Sequence, residues 1–222
     1  MESKSPIDLN FAAATLEEFR ASSFRDTIAR IEKNCSTYSG DNAGSNLQQN
    51  GITDALLSAA LLMKWHSRQI DEIVHAAGIL LALPHILEQG ECVQSVSLAA
   101  GNTGRGFDLC TNRRIAEFTF INWQGGAEVI RQNKIFKDFF FLAEDESPKK
   151  KELYTIGTEL PRQFFESGRG IASILKGNKK LGDAFREKYA DRFPSVRDYY
   201  NHRKNRVVLR DVAEIVPRFR SR

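Results

Sequence analysis

The segment Phe107-Asp108-Leu109-Cys110-Thr111-Asn112-Arg113-Arg114-Ile115-Ala116-Glu117-Phe118-Thr119-Phe120-Ile121 constrains this chain more than any other. Two runs with strand character flank a short polar break, which is the pattern of a β-hairpin. A two-residue turn at Asn112-Arg113, with Asn112 taking the positive φ that such turns use, sets Asp108 directly opposite Glu117. Opposed residues share one face of a sheet, with Cβ atoms about 5 Å apart. Alternation then places Thr119 and Ile121 on the face of Glu117, and Ala116, Phe118 and Phe120 on the other. One face gathers acids and the other gathers apolar side chains.

Like charges directly opposed on neighbouring strands disfavour the sheet unless something neutralises them. Mg²⁺, or Mn²⁺ in its place, suits such a pair, because it takes one or two carboxylates and completes its shell with water and phosphate oxygens. Two alternatives stand beside this: Arg113 or Arg114 partners one of the acids, or the hairpin lies open to water. The flanking Phe118, Phe120 and Trp123 argue against open exposure.

Upstream, Leu16, Phe19, Phe24, Ile28 and Ile31 recur at helical spacing, with Thr15 as N-cap and Glu18 three residues on. A polar run from Ser36 to Asn50 reads as a loop. Gly51 to Trp65 and Gln69 to Leu87 read as two further helices, the second apolar nearly all round and therefore central. Its narrow polar stripe carries Asp71, His75 and His85, and His75 reads as a structural histidine. Val93 to Ala99 alternates as a first strand, and Gly101-Asn102-Thr103-Gly104-Arg105-Gly106 is a turn that could bring backbone amides and Arg105 to a phosphate. After Trp123, residues Ala127 to Ala143 form a helix whose polar face offers Arg131, Gln132, Lys134 and Lys137. Glu152 to Gly157 is a fourth strand, and Pro161 opens the next helix.

The order is therefore helices, three strands, helix, strand and helices to the end: an α/β fold with a mixed sheet in one domain over residues 1–222. Its core covers about 69–166, with a basic helical part over about 167–222. Lys176 to Arg222 holds 14 basic and 6 acidic residues, in a chain whose net charge is +4. That asymmetry suits contact with phosphate backbones through Arg203, Lys204 and Arg206. The other reading of this segment is a basic helix with Tyr199, Val208 and Val212 packed inward. No apolar run is long enough to span a membrane and the start lacks a signal-peptide core, so the expectation is a cytoplasmic protein with no membrane partner. Cys35, Cys92 and Cys110 show neither disulfide nor zinc spacing.

The strand with Asp108, the turn, and Glu117 two positions before Thr119 on the next strand, followed by a helix, resemble the PD-(D/E)xK nuclease superfamily over roughly Glu72 to Ala143. The resemblance implies a restriction-endonuclease-like core and a Mg²⁺-dependent or Mn²⁺-dependent nuclease acting on DNA in preference to RNA. Asp108 and Glu117 match the two acids and would hold the metal. An acid on the preceding helix would join them, Glu72 ahead of Glu88. Members of this superfamily often work as homodimers that cut both strands. One departure is plain: Thr119 stands where the superfamily carries a lysine that orients water and stabilises charge on the phosphate. Thr119 implies an inactivated or impaired site, or a lysine displaced to Lys134 or Lys137. Nucleic-acid contact is expected at Arg105, Gln124, Arg131, Gln132, Lys134, Lys137, Arg203, Lys204 and Arg206. A catalytically silent nucleic-acid-binding or assembly module is the alternative. A second, lesser resemblance lies in Arg197 and His202, spaced as in the metal-independent HEPN ribonucleases.

Overall fold

A computed structural model describes residues 8–35, 39, 42–98, 106–120, 123 and 128–220. The chain divides into two compact units, Met1–Asp71 and Glu72–Arg222, and no described helix is long and apolar enough to cross a membrane.

The first unit is helical. α1 (Leu9–Arg20) and α2 (Phe24–Cys35) replace the single helix expected there. The break falls at Ala21, whose φ of 47° ends α1 and whose amide caps Glu17 and Glu18. Thr15 is not an N-cap but lies inside α1, its hydroxyl donating to the Phe11 carbonyl at 2.8 Å. α3 (Ala43–Gln49) occupies part of the expected loop. α4 (Asp54–Ile86) is one helix of 33 residues rather than two, since neither Gly nor Pro falls between the two expected segments. The boundary between the units lies within it.

The second unit is an α/β sandwich around a five-stranded mixed sheet in the order β1 (Val93–Val96), β2 (Leu109–Thr111), β3 (Arg114–Thr119), β4 (Lys150–Thr155) and β5 (Val208–Asp211). β2 is antiparallel to β1 and β3, while β3, β4 and β5 run parallel. The parallel step from β3 to β4 is a crossover through α5 (Val129–Glu144). α6 (Glu159–Phe165), α7 (Ile171–Leu175), α8 (Lys179–Tyr189) and α9 (Val196–Arg203) follow β4. The C-terminal basic region is thus helical only in part. Val208 opens a parallel edge strand rather than packing along a helix, because the helix ends at Arg203 and a 3-10 turn redirects the chain.

Alternation along β3 and β4 builds two cores. Ile115 and Leu153 face Ile135, Phe136, Phe139 and Phe140 of α5 and the helices after β4. Ala116, Phe118 and Tyr154 face Ile79, Ala82 and Ile86 of α4, with Phe118 stacked on Tyr154 at 4.7 Å. α4 is not buried all round, however: Ile73 and Leu81 are exposed. Gly78 sets the approach of α4, for a Cβ there would lie 2.5 Å from the Phe120 ring and 2.8 Å from that of Phe219.

The candidate acid cluster

Cross-strand register brings the two hairpin acids together. Leu109 pairs with Ala116 and Cys110 with Ile115, so Asp108, one residue ahead of β2, lies opposite Glu117. The turn, however, does not use a positive φ at Asn112. The Thr111 hydroxyl accepts from the Arg113 and Arg114 amides at 3.0 and 2.8 Å, while the Asn112 side chain accepts from the Cys92 amide at 2.9 Å. Side chains hold what backbone torsion was expected to supply.

Asp108 is held from three directions. Its carbonyl accepts from Ser97, its Oδ2 accepts from the Phe118 amide at 2.9 Å, and its Oδ1 lies 3.4 Å from Nε2 of the buried His75. Burial pushes the Asp108 carboxyl up, but the His75 and Phe118 hydrogen bonds outweigh it and hold the group below its usual range. Glu117 responds in the opposite sense. Burial first, then the charges of Asp138 and Asp108, push it up to about 10. At neutral pH Glu117 keeps its proton and shares a hydrogen bond with ionised Asp108.

Asp138, on α5, completes the cluster. It is 3 % exposed and accepts at 3.0 Å from the hydroxyl of the buried Thr119. Burial raises its pKa against the opposing pull of Lys134 and Lys137. The Lys137 ammonium lies 3.7 Å from Asp138 Oδ1, and its charge also acts on Glu117. Lys134 and Lys137 on α5 thus both put positive charge on Asp138, and Lys137 also on Glu117.

Other expected residues fall elsewhere. Glu72 is exposed, and it is His75, almost one turn on along α4, that reaches Asp108. Glu88 pairs with Lys150. Arg113 and Arg114 do not neutralise the hairpin acids: Arg114 binds Glu91 and Glu152, and Arg113 lies 3.7 Å from Glu88. Arg105 and Gln124 lie outside the described residues. Arg131 pairs with Glu128 at 2.6 Å, and Gln132 accepts from Arg169. Lys134 and Lys204 are exposed, the latter donating to Asn201.

Part of the basic C-terminal segment serves as scaffolding. Arg203 donates to Glu144 at 2.9 Å and to the Tyr189 hydroxyl, and Arg206 donates to the Asp145 carbonyl at 2.6 Å. Glu144 also accepts from Tyr189, Tyr199 and Lys188. Arg203 and Arg206, expected to face phosphate, instead tie the last third of the chain to the end of α5. Arg197 donates to the Glu166 carbonyl at 2.6 Å while His202 packs on the Phe193 ring at 5.0 Å, so the two HEPN-like residues are turned to different partners.

Sequence reasoning missed Asp138 and set His75 aside. The available signal for Asp138 was an acid between Phe136 and Phe139, inside a run otherwise destined for the core. Among the described residues, no three His, Cys, Asp or Glu side chains are grouped so as to hold a metal ion. No protein-family model matches the chain, and no curated protein or solved structure is significantly similar to it.

Proposed function

We infer that the Glu72–Arg222 unit is a nuclease of the PD-(D/E)xK type, hydrolysing phosphodiester bonds of DNA in preference to RNA with Mg²⁺ or Mn²⁺. One observation carries the reading: Asp108 and Glu117 share a hydrogen bond beside the buried Asp138, and desolvation together with the neighbouring acids leaves Glu117 protonated near neutral pH. The order helix, three strands, helix, strand, which the resemblance implies, adds support.

The donor set fits a hard dication. Three acids with only partial cationic compensation make a surplus of negative charge that such an ion would discharge, and two carboxylates meet the need of Mg²⁺ without a cage of three or more protein ligands. Asp108 and Glu117 would hold it; bound there, Mg²⁺ would activate water and neutralise charge developing on the phosphate. His75 and the Phe118 amide keep Asp108 ionised and aimed. Thr119 holds Asp138 by its hydroxyl. Lys137, 42 % exposed on a flexible stem, takes the part of the missing β3 lysine by turning its ammonium toward a phosphate oxygen.

The test incubates plasmid and single-stranded DNA with Mg²⁺ or Mn²⁺. Cutting by the native chain that Asp108→Ala abolishes, and that Lys137→Ala lowers by about 10²-fold or more, supports the displaced lysine. Cutting only after Thr119→Lys supports an enzyme silenced at that position. The second reading, a catalytically silent nucleic-acid-binding or assembly module, rests on Thr119 itself, which is buried and committed to Asp138 with no lysine on β3. It gains if no variant cuts while DNA is bound in a salt-dependent way. Cutting of both strands would call for two copies of the chain, which sedimentation with and without DNA would detect.

A further inference from the structure

Cys110 lies outside the acid cluster, on β2, and is partly buried. The Nζ of Lys149, just before β4, lies 3.2 Å from its Sγ. The same ammonium donates to Gln94 Oε1 of β1 at 2.7 Å, and the Cys110 Sγ lies 3.6 Å from that oxygen. A lysine nitrogen is therefore held against a thiol by a neutral amide from the edge strand β1, and both groups are only partly buried, so small solutes reach them. A buried thiol would be inert, and a freely exposed one would find no amine fixed beside it.

We propose that Cys110 and Lys149 form an oxidative modification site, closed by a reversible sulfur–nitrogen bond when a hydroperoxide is supplied. In the first step the Cys110 thiolate attacks hydrogen peroxide. An S–O bond forms, the O–O bond breaks and hydroxide leaves, so sulfur is oxidised to the sulfenic acid and the peroxide is reduced. In the second step the Lys149 ammonium gives a proton to that hydroxide, making water, and the resulting neutral amine gives its lone pair to sulfur. An S–N bond forms, the S–O bond breaks, and the hydroxyl departs as water with a proton from the nitrogen. Two equivalents of a thiol reverse it, restoring the thiol and the amine and leaving a disulfide between the reductant molecules. In the sheet Cys110 pairs with Ile115 and Ile115 with Lys151. The bond thus ties β2 to the start of β4 across β3, two residues from Asp108. It protects Cys110 from irreversible over-oxidation, and it does not depend on the phosphodiesterase reading.

The full chain is treated with graded hydrogen peroxide, digested and sequenced by mass spectrometry, with exposed Cys35 and Cys92 as internal references. The expected product is a Cys110–Lys149 linked peptide lighter by two hydrogens than the sum of its parts, lost on adding thiol reductant. A 1,3-diketone that traps sulfenic acids leaves Cys110 of the native chain unlabelled. It labels Cys110 several-fold more in Lys149→Arg, which keeps the charge but not the nucleophile, and in Lys149→Gln. Circular dichroism identifies the variants that fold. Equal Cys110 labelling in native and folded variant chains overturns the proposal. So does sulfinic acid at Cys110 with no linked peptide, or a linked peptide that retains an added oxygen.

Discussion

The second unit carries two clusters of acids, one at each end of β3, and they are balanced differently. At the Arg114 end of β3, Glu91 and Glu152 meet Arg114 in charge-assisted hydrogen bonds of 2.6 and 2.7 Å, and Arg210 adds another to Glu152 at 2.8 Å. The Arg114 guanidinium, set against burial, takes Glu91 down to about 2. At the Thr119 end, Asp108, Glu117 and Asp138 have a histidine at 3.4 Å and a lysine at 3.7 Å, and Glu117 rises to about 10. The opposite shifts of Glu91 and Glu117 distinguish a strut from a candidate site. Matched charges stay ionised and hold strands together, whereas surplus acid retains a proton and is ready to exchange it for a cation.

The largest effect should come from breaking the matched cluster. Arg114→Met leaves Glu91 and Glu152 without their main cation and should cost about 3–5 kcal/mol in urea unfolding. A loss near zero would erase the distinction. Next is acid sensitivity. The folded pKa of Glu91 lies below its ordinary value of 4.5, so the folded state binds fewer protons between the two values and stability falls as pH drops from about 4.5 toward 2. Glu91→Gln should flatten that limb, removing a dependence of about 3 kcal/mol, read from unfolding at stepped pH.

The surplus cluster should answer to metal instead. Mg²⁺ at about 100 times its dissociation constant should stabilise the native chain by about 2.7 kcal/mol and leave Asp108→Ala unmoved. A chain indifferent to Mg²⁺ and Mn²⁺ would place both clusters among the struts. The substitution with the smallest effect near pH 5 is the most diagnostic in sign. With chelator present, folded Glu117 holds a proton that the unfolded chain has lost above about 4.5, so native stability declines as pH rises toward 10. Glu117→Gln mimics the neutral acid and should change stability by less than about 1 kcal/mol near pH 5 while removing the alkaline decline. A rise in native stability over that range would reverse the assignment.

What could be read in advance follows from the range of the forces involved. Asp108 opposite Glu117 was legible because register across a short hairpin depends on a few local residues and on strict alternation. The device at the turn was not, since Thr111 and Asn112 act through contacts to Arg113, Arg114 and Cys92 that alternation does not encode. The split between α1 and α2 was hidden because helical spacing continues through Ala21, whose positive φ no propensity foretells. β5 was missed because Val208–Asp211 is a short edge strand that pairs only with distant β4.

Charge count leaves a related choice to the fold. A net positive segment invites a phosphate-binding reading, yet Arg203, Arg206 and Arg210 point to Glu144, the Asp145 carbonyl and Glu152. Composition records how many charges exist, and only the fold decides which of them find an internal partner.

By itself the sequence determined a helical start, a mixed α/β core and a hairpin that opposes two acids. These are set by periodicity and by neighbours close along the chain. The tertiary structure alone decided that Asp138 and His75 join those acids, that Lys134 and Lys137 supply nearby positive charge, and that Arg114 serves the other end of the sheet. Each of those outcomes depends on where α4 and α5 settle against β2 and β3, and that placement follows from side-chain packing across the two cores.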